Sequence, residues 1–347
     1  MHLLYNYATN ASFVVKRRVI MKFFVYTFRE FDEKNCFDEL SEKYGFEYDY
    51  SPEYPCLENV HYAKGYDAVS FTPCECNAEL VEAFHRQGVK YICARSIGFE
   101  HIDLEKAKEL GMRVSCVKYG PETVADYAIM LMLMGCRKIT HIIERSKLQD
   151  YTLKGKLGKN LSNCTVGILG TGQIGGTVIK HLQSFGCRIL ANSLFEEESL
   201  KGMCEYVSME KLLAESDVIS MHMPASKENY HLLNKETFDM MKDGVILVNT
   251  ARGALIDTDA LIDSIESGKI GFAALDVLEV EDGLYYADRI GDCIPNRNMA
   301  ILRAFPNVLL TPHTAFYTDE AVYSMAENTV VPVLDMEAGR DNHLVIV

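Results

Sequence analysis

The chain has no CxxC pair, no apolar run long enough to span a bilayer and no excess of basic charge. Its eleven cysteines are odd in number and scattered, and the closest pair, Cys74 and Cys76, lacks the spacing of a zinc knuckle. No metal is therefore assigned, and the expected state is reduced thiols in the cytoplasm. The longest strongly apolar stretch, residues 127–136, is too short for a membrane span. A formal net charge of −14 argues against nucleic acid or an anionic membrane as partner. An anionic substrate would need a local positive centre, for which Arg252 is a candidate. Neither an internal repeat nor a low-complexity tract stands out. Near the N-terminus an apolar stretch precedes Lys16, Arg17 and Arg18, the reverse of a secretion signal. The expectation is that Met21 is the true start, or that residues 1–20 form a loose extension.

What the chain does have is a steady strand–helix rhythm. Its 347 residues and 48% hydrophobic content predict a globular protein of two domains. Strands are expected at 22–26, 66–71, 90–93 and 113–117, with helices at 33–44, 77–87 and 104–111. Pro121 with Glu122 opens what reads as the longest helix, residues 121–148, apolar nearly all round in its middle. That pattern fits a core helix or a dimer interface. Six more strands follow, at 165–169, 188–192, 217–221, 245–249, 272–275 and 308–310, enough for a full dinucleotide-binding sheet. A last helix is expected over 318–337. The fold class is α/β, with doubly wound parallel sheets in two Rossmann-like domains.

The first of the six strands runs into GTGQIG, residues 170–175, and a helical stretch follows. Gly170 permits the tight turn, Gly172 lets a pyrophosphate approach the backbone, and Gly175 lets helix and strand pack closely. The free N–H groups of the helix start would meet the phosphates. An NAD site usually carries Asp or Glu at the end of the next strand, and this chain has Ser193. The carboxylate that repels a 2′-phosphate is missing, yet Glu196, Glu197 and Glu198 follow in place of any basic residue. NADH is the expected cofactor, with NADPH left open.

Three islands place a reactive side chain just after a hydrophobic run: NTARG (249–253), DVLEVE (276–281) and TPHTAF (311–316). Reducing a 2-oxo acid requires a grip on the carboxylate, a polarised carbonyl, a proton for its oxygen and a hydride. Arg252 suits the first two, since its planar fork binds two oxygens together. His313 suits the third. Glu281 can hydrogen-bond the imidazole, orient it and favour its charged form. All three follow strand ends, which in an open α/β sheet converge on one crevice. His101, His222 and the methionine run 130–134 are read as structural.

These segments, together with RSIGFEHID (95–103), YGPETVA (119–125) and HMP (222–224), resemble the D-isomer-specific 2-hydroxyacid dehydrogenases, most of all their D-lactate dehydrogenase branch. The resemblance implies an oxidoreductase with Arg252 on the substrate, Glu281 paired with His313, and His313 as acid/base. It implies that N–H groups near Ile97 and Gly98 hold the carboxylate, and that Tyr119 and Phe316 flank the substrate side chain. Gln173, Ile174, Met223, Pro224, Asn229, Thr250 and Ala251 would line the cofactor, with Asp276 on the nicotinamide amide. It implies a substrate domain of residues 21–119 and 316–347 around an inserted cofactor domain of residues 120–315, and a homodimer built on the helix after Pro121. Pyruvate is the first expected substrate. Phenylpyruvate, branched-chain 2-oxo acids and hydroxypyruvate are alternatives. A cofactor-sensing, corepressor-like binding protein is the rival of a different class.

Overall fold

The computed structural model describes residues 20–281 and 283–347, so the expected N-terminal extension lies outside the described residues apart from Ile20. The chain divides into two compact units. One comprises residues up to Lys118 with Val322–Val347, the other Tyr119–Ala321.

The first unit holds five parallel strands, β1 (Lys22–Val25), β2 (Glu47–Tyr50), β3 (Ala68–Phe71), β4 (Tyr91–Ala94) and β5 (Arg113–Ser115), in the order β2-β1-β3-β4-β5. The sequences AVSF of β3 and YICA of β4 are buried along their whole length, as strands of a sheet covered on both faces must be. One face packs Phe24, Val69 and Phe71 against Val81 and Phe84 of the helix Ala78–Arg86. The other packs Phe23, Val25 and Cys93 against Phe37 and Leu40 of the helix Glu30–Tyr44 and against Val330 and Val333 near the C-terminus. Four of these strands stand where the sequence places them, within two residues at either end. The unexpected strand is β2, an exposed edge strand.

The second unit holds seven parallel strands: β6 (Thr165–Leu169), β7 (Arg188–Asn192), β8 (Glu205–Tyr206), β9 (Val218–Met221), β10 (Val245–Asn249), β11 (Ile270–Leu275) and β12 (Val308–Leu310). Their order is β8-β7-β6-β9-β10-β11-β12. Six match the expected strands, and β8 is a two-residue edge addition. The order reverses between β6 and β9, so the carboxyl ends of the strands open a crevice there, where ligands of such sheets bind.

The long helix expected over 121–148 is two helices, Glu122–Cys136 and Ile139–Lys147. Lys138 between them is left-handed, with φ of 52°. The carbonyl of Cys136 accepts a 2.8 Å hydrogen bond from the N–H of Lys159. The first helix is core to its own unit: Leu131, Met132 and Gly135 are buried, and a side chain added at Gly135 would strike Phe272 and Ile246.

Candidate active site

The turn after β6 is shaped by two constraints. Gly170 has φ of 91°, and a Cβ there would lie 2.6 Å from the carbonyl oxygen of His222. Gly172, by contrast, faces open space within 4 Å of where its side chain would start. It precedes the helix Gln173–Leu182, whose first turn has no side-chain cap. Uncapped N–H groups beside an open glycine form a cradle that a pyrophosphate fits. Further along the crevice, Ser193 follows β7 and is half-buried, with Leu194 to Glu198 exposed after it. The hydroxyl of Tyr206 donates to Thr171 Oγ1 at 3.1 Å and accepts from the N–H of Glu197 at 3.0 Å, which ties this loop to the glycine turn.

The loop after β9 begins with His222. Its Nε2 is 2.9 Å from Ser220 Oγ, and its Nδ1 is cut off from water with no partner. Burial pushes this imidazole down to about 4, so it is neutral and structural. Met223 and Pro224 follow. Asn229 braces them, accepting from the N–H of Ser226 at 2.6 Å and donating to the carbonyl of Pro224 at 2.8 Å.

After β10, the side chain of Asn249 accepts from the N–H of Ala251 at 2.9 Å and donates to the carbonyl of Arg252 at 2.9 Å. This Asx-type turn presents Thr250, Ala251 and Arg252 in a fixed order. Thr250 is buried and its Oγ1 lacks a partner. Arg252 is exposed and donates through Nη1 to the carbonyl of Ala251 at 2.7 Å. Its guanidinium is near enough to Tyr119 to work against the burial that pushes the tyrosine hydroxyl up to about 12.

Asp276, fully buried after β11, organises the next loop. Its Oδ1 accepts from Thr311 Oγ1 at 2.6 Å and from the N–H of Thr314 at 2.9 Å, and its Oδ2 accepts from the N–H of Ala315 at 2.9 Å. Its carbonyl accepts from the N–H of His313 at 2.8 Å. His313 is thereby held at φ of 52°, a conformation uncommon outside glycine. From there its Nδ1 meets Glu281 Oε1 at 2.6 Å. The other carboxylate oxygen of Glu281 accepts from the N–H of Leu278 at 3.0 Å. With Nδ1 committed to Glu281, Nε2 is the nitrogen left for a ligand. Around His313 stand Tyr286 and Phe316, at 6.0 and 6.4 Å between ring centroids, and Tyr119 lies 6.1 Å from Phe316.

The second unit thus brings together, along the carboxyl edge of one sheet, the glycine turn, the Arg252 loop, Glu281 with His313, and the Tyr119–Phe316 pair. Ile97 and Gly98 lie in the first unit, on the loop after β4, where Ser96 Oγ donates to the carbonyl of Gly98 at 2.5 Å. Arg95 before them is buried, paired with Glu33 at 2.9 Å. Sequence reasoning assigned no role to Tyr286, whose hydroxyl donates to the carbonyl of His313 at 2.8 Å, nor to Tyr230, His231 and Glu279. Their partners lie tens of residues away, and no local pattern announces them.

Residues 129–315 match the family model described as D-isomer specific 2-hydroxyacid dehydrogenase, NAD binding domain. An aromatic 2-oxoacid reductase of Clostridium sporogenes is 40% identical over 91% of this chain and 96% of its own length. A D-lactate dehydrogenase of Escherichia coli is 38% identical over 92% and 98% respectively. The solved structure of a D-2-hydroxyisocaproate dehydrogenase, 32% identical, superimposes with a TM-score of 0.86 over 94% of this chain and 99% of its own. The glycine cradle, the paired Glu281 and His313 and these likenesses agree: the chain belongs to the D-isomer-specific 2-hydroxyacid dehydrogenases, in the D-lactate dehydrogenase branch, and is an NAD-binding oxidoreductase.

Proposed function

We propose that the enzyme reduces a small 2-oxo acid, pyruvate first, to the (R)-2-hydroxy acid with NADH, and runs in reverse at higher pH. The observation that carries this reading is the 2.6 Å contact of His313 with Glu281, beside Arg252 and the glycine turn on one sheet edge. Gly170, Gly172, Gln173, Ile174 and Gly175 would hold the pyrophosphate, with Ser193 at the ribose and Met223, Pro224, Asn229, Thr250, Ala251 and Asp276 along the rest of the cofactor. Three donors already occupy the Asp276 carboxylate, which leaves it about one of its four acceptor positions for a nicotinamide amide. When bound, the reduced nicotinamide supplies the hydride.

The chain's own groups do the rest. Arg252 grips carboxylate and carbonyl oxygens and stabilises the negative charge that grows on the latter. His313, as imidazolium, gives its Nε2 proton to the carbonyl oxygen, and Glu281 keeps the ring oriented. In the reverse direction the neutral ring accepts that proton, so reduction fades and oxidation rises with increasing pH. Glu196, Glu197 and Glu198 disfavour a 2′-phosphate and support NADH over NADPH.

A second reading, reduction of phenylpyruvate, is favoured by the aromatic lining of Tyr119, Phe316 and Tyr286 and by the aromatic 2-oxoacid reductase at 40% identity. We further infer a homodimer, supported by the exposed apolar side chains of Ile143, Leu148, Tyr151, Leu153 and Leu157 after the core helix.

The test is a panel of pyruvate, phenylpyruvate, branched-chain 2-oxo acids and hydroxypyruvate with NADH and then NADPH, followed by loss of cofactor absorbance. Chirality of the product is then determined. Highest kcat/KM on pyruvate with NADH and an (R) product is expected. An (S) product, or no turnover on any member, overturns the reading.

A further inference from the structure

The second unit contains another histidine–carboxylate pair, outside the trio of Arg252, Glu281 and His313. His231 Nε2 lies 2.5 Å from Glu279 Oε1. The same oxygen accepts from the hydroxyl of Tyr230 at 2.8 Å, and Glu279 Oε2 accepts from Thr258 Oγ1 at 2.9 Å. The rings of Tyr230 and His231 stack at 3.9 Å and 17°. Asp257 faces the other side of the imidazole, 3.7 Å from Nδ1. His231 has φ of 54°, so its backbone also takes an uncommon conformation in reaching this contact. Burial raises the Glu279 carboxyl, but the hydrogen bonds from His231, Tyr230 and Thr258 outweigh it and hold the group below its ordinary range.

The place of this knot in the chain gives it consequence. Glu279 stands two residues before Glu281 and three after Asp276, on the loop that meets His313. The N–H of His231 donates to the carbonyl of Ala254 at 2.9 Å, two residues beyond Arg252. Gly253 sits flush against the backbone of Leu278 and Glu279, where any Cβ would collide. Thr258 opens the helix that follows the Arg252 loop. The Glu279 carboxylate therefore joins the loop after β9, through His231 and Tyr230, to the helix that follows the Arg252 loop, through Thr258, while the backbone of its own loop, which carries Glu281, packs against Gly253.

We propose that Glu279, clamped by His231, Tyr230 and Thr258, is a positioning residue that sets the relative placement of Arg252 and the Glu281–His313 pair. This rests on the roles given above to those three residues. Glu279 need not touch substrate. Released, it lets the 276–281 loop drift from the Arg252 loop, and a shift of about an ångström in such a constellation costs on the order of 10²-fold in rate.

The test compares Glu279→Ala and Glu279→Gln in the full chain. The single oxygen of glutamine keeps the acceptor for His231 and Tyr230, and its NH₂ can donate to the hydroxyl of Thr258, whereas alanine keeps nothing. Expected for Glu279→Ala is a fall in kcat/KM of roughly 10- to 100-fold, with both a lower kcat and a higher KM, and recovery to within several-fold of wild type for Glu279→Gln. A second readout is independent of turnover: the downfield proton resonance of the hydrogen bond between His313 Nδ1 and Glu281, followed by NMR of histidine-labelled protein and assigned by its loss in His313→Asn. It weakens or disappears in Glu279→Ala, because the imidazole has lost the close approach of Glu281. If Glu279→Ala does not fold, Thr258→Val, which removes one donor at nearly constant shape, gives the same changes in smaller measure. A folded variant that loses thermal stability but keeps wild-type kcat, KM and the His313 resonance overturns the proposal. Wild-type protein inactive on every 2-oxo acid defeats the dehydrogenase reading instead, and the His313 resonance still decides whether Glu279 positions the pair.

Discussion

Asp276→Asn isolates the group on which the His313 loop depends. The aspartate is fully buried and accepts three hydrogen bonds, from Thr311 Oγ1, the N–H of Thr314 and the N–H of Ala315. Asparagine is nearly isosteric. Its oxygen can serve Thr311 and Thr314, but its amide NH₂ then faces the N–H of Ala315, donor against donor. The orphaned N–H costs about 2 kcal/mol, and each remaining bond falls from a charged to a neutral acceptor, a loss of about 1 kcal/mol apiece. Together these come to about 4 kcal/mol, a large part of the 5–15 kcal/mol that roughly holds a domain folded. The loss falls on the loop that keeps His313 at its uncommon φ, so turnover should fall by roughly 10²-fold as well. Urea unfolding monitored by circular dichroism gives the first quantity and steady-state reduction of the best 2-oxo acid gives the second. A variant within 1 kcal/mol of wild type and with unchanged kcat would show that Asp276 does not organise this loop.

Two further perturbations test the cofactor cradle and the buried histidine. Gly170→Ala places a Cβ 2.6 Å from the carbonyl of His222 at φ of 91°, so NADH affinity, read by fluorescence titration, should drop at least tenfold; unchanged affinity would remove the turn from the site. His222, at about 4 when folded and near 6.5 when unfolded, binds fewer protons in the folded state. Its contribution is present above pH 6.5 and is lost as pH falls towards 4, by up to about 3 kcal/mol. His222→Asn should flatten that part of the stability–pH curve, and an identical curve in the variant would refute the assignment.

Much of this was legible in the chain because the informative residues sit next to strand ends, where apolar runs such as VILVN of β10 mark the spot. The elements that escaped notice lack such runs. The β2 sequence EYDY alternates charged and aromatic residues at an exposed sheet edge, and β8 is two residues long. The break at Lys138 is hidden because neither it nor its neighbours Arg137 and Ile139 is proline or glycine; a contact with Lys159, about twenty residues on, holds the carbonyl of Cys136. The same holds for function. Arg252, Glu281 and His313 follow strand ends that apolar runs mark in the chain, and Glu281 and His313 meet in the fold. The hub role of Asp276 and the knot around Glu279 depend on partners about 20 to 50 residues away, which only the folded chain reveals.

The central claim is that His313 hands the proton to the substrate oxygen. Turnover of His313→Gln with saturating 2-oxo acid and NADH tests it most directly. The account predicts a kcat lower than wild type by roughly 10²- to 10⁴-fold with NADH binding intact; a kcat equal to wild type would contradict it.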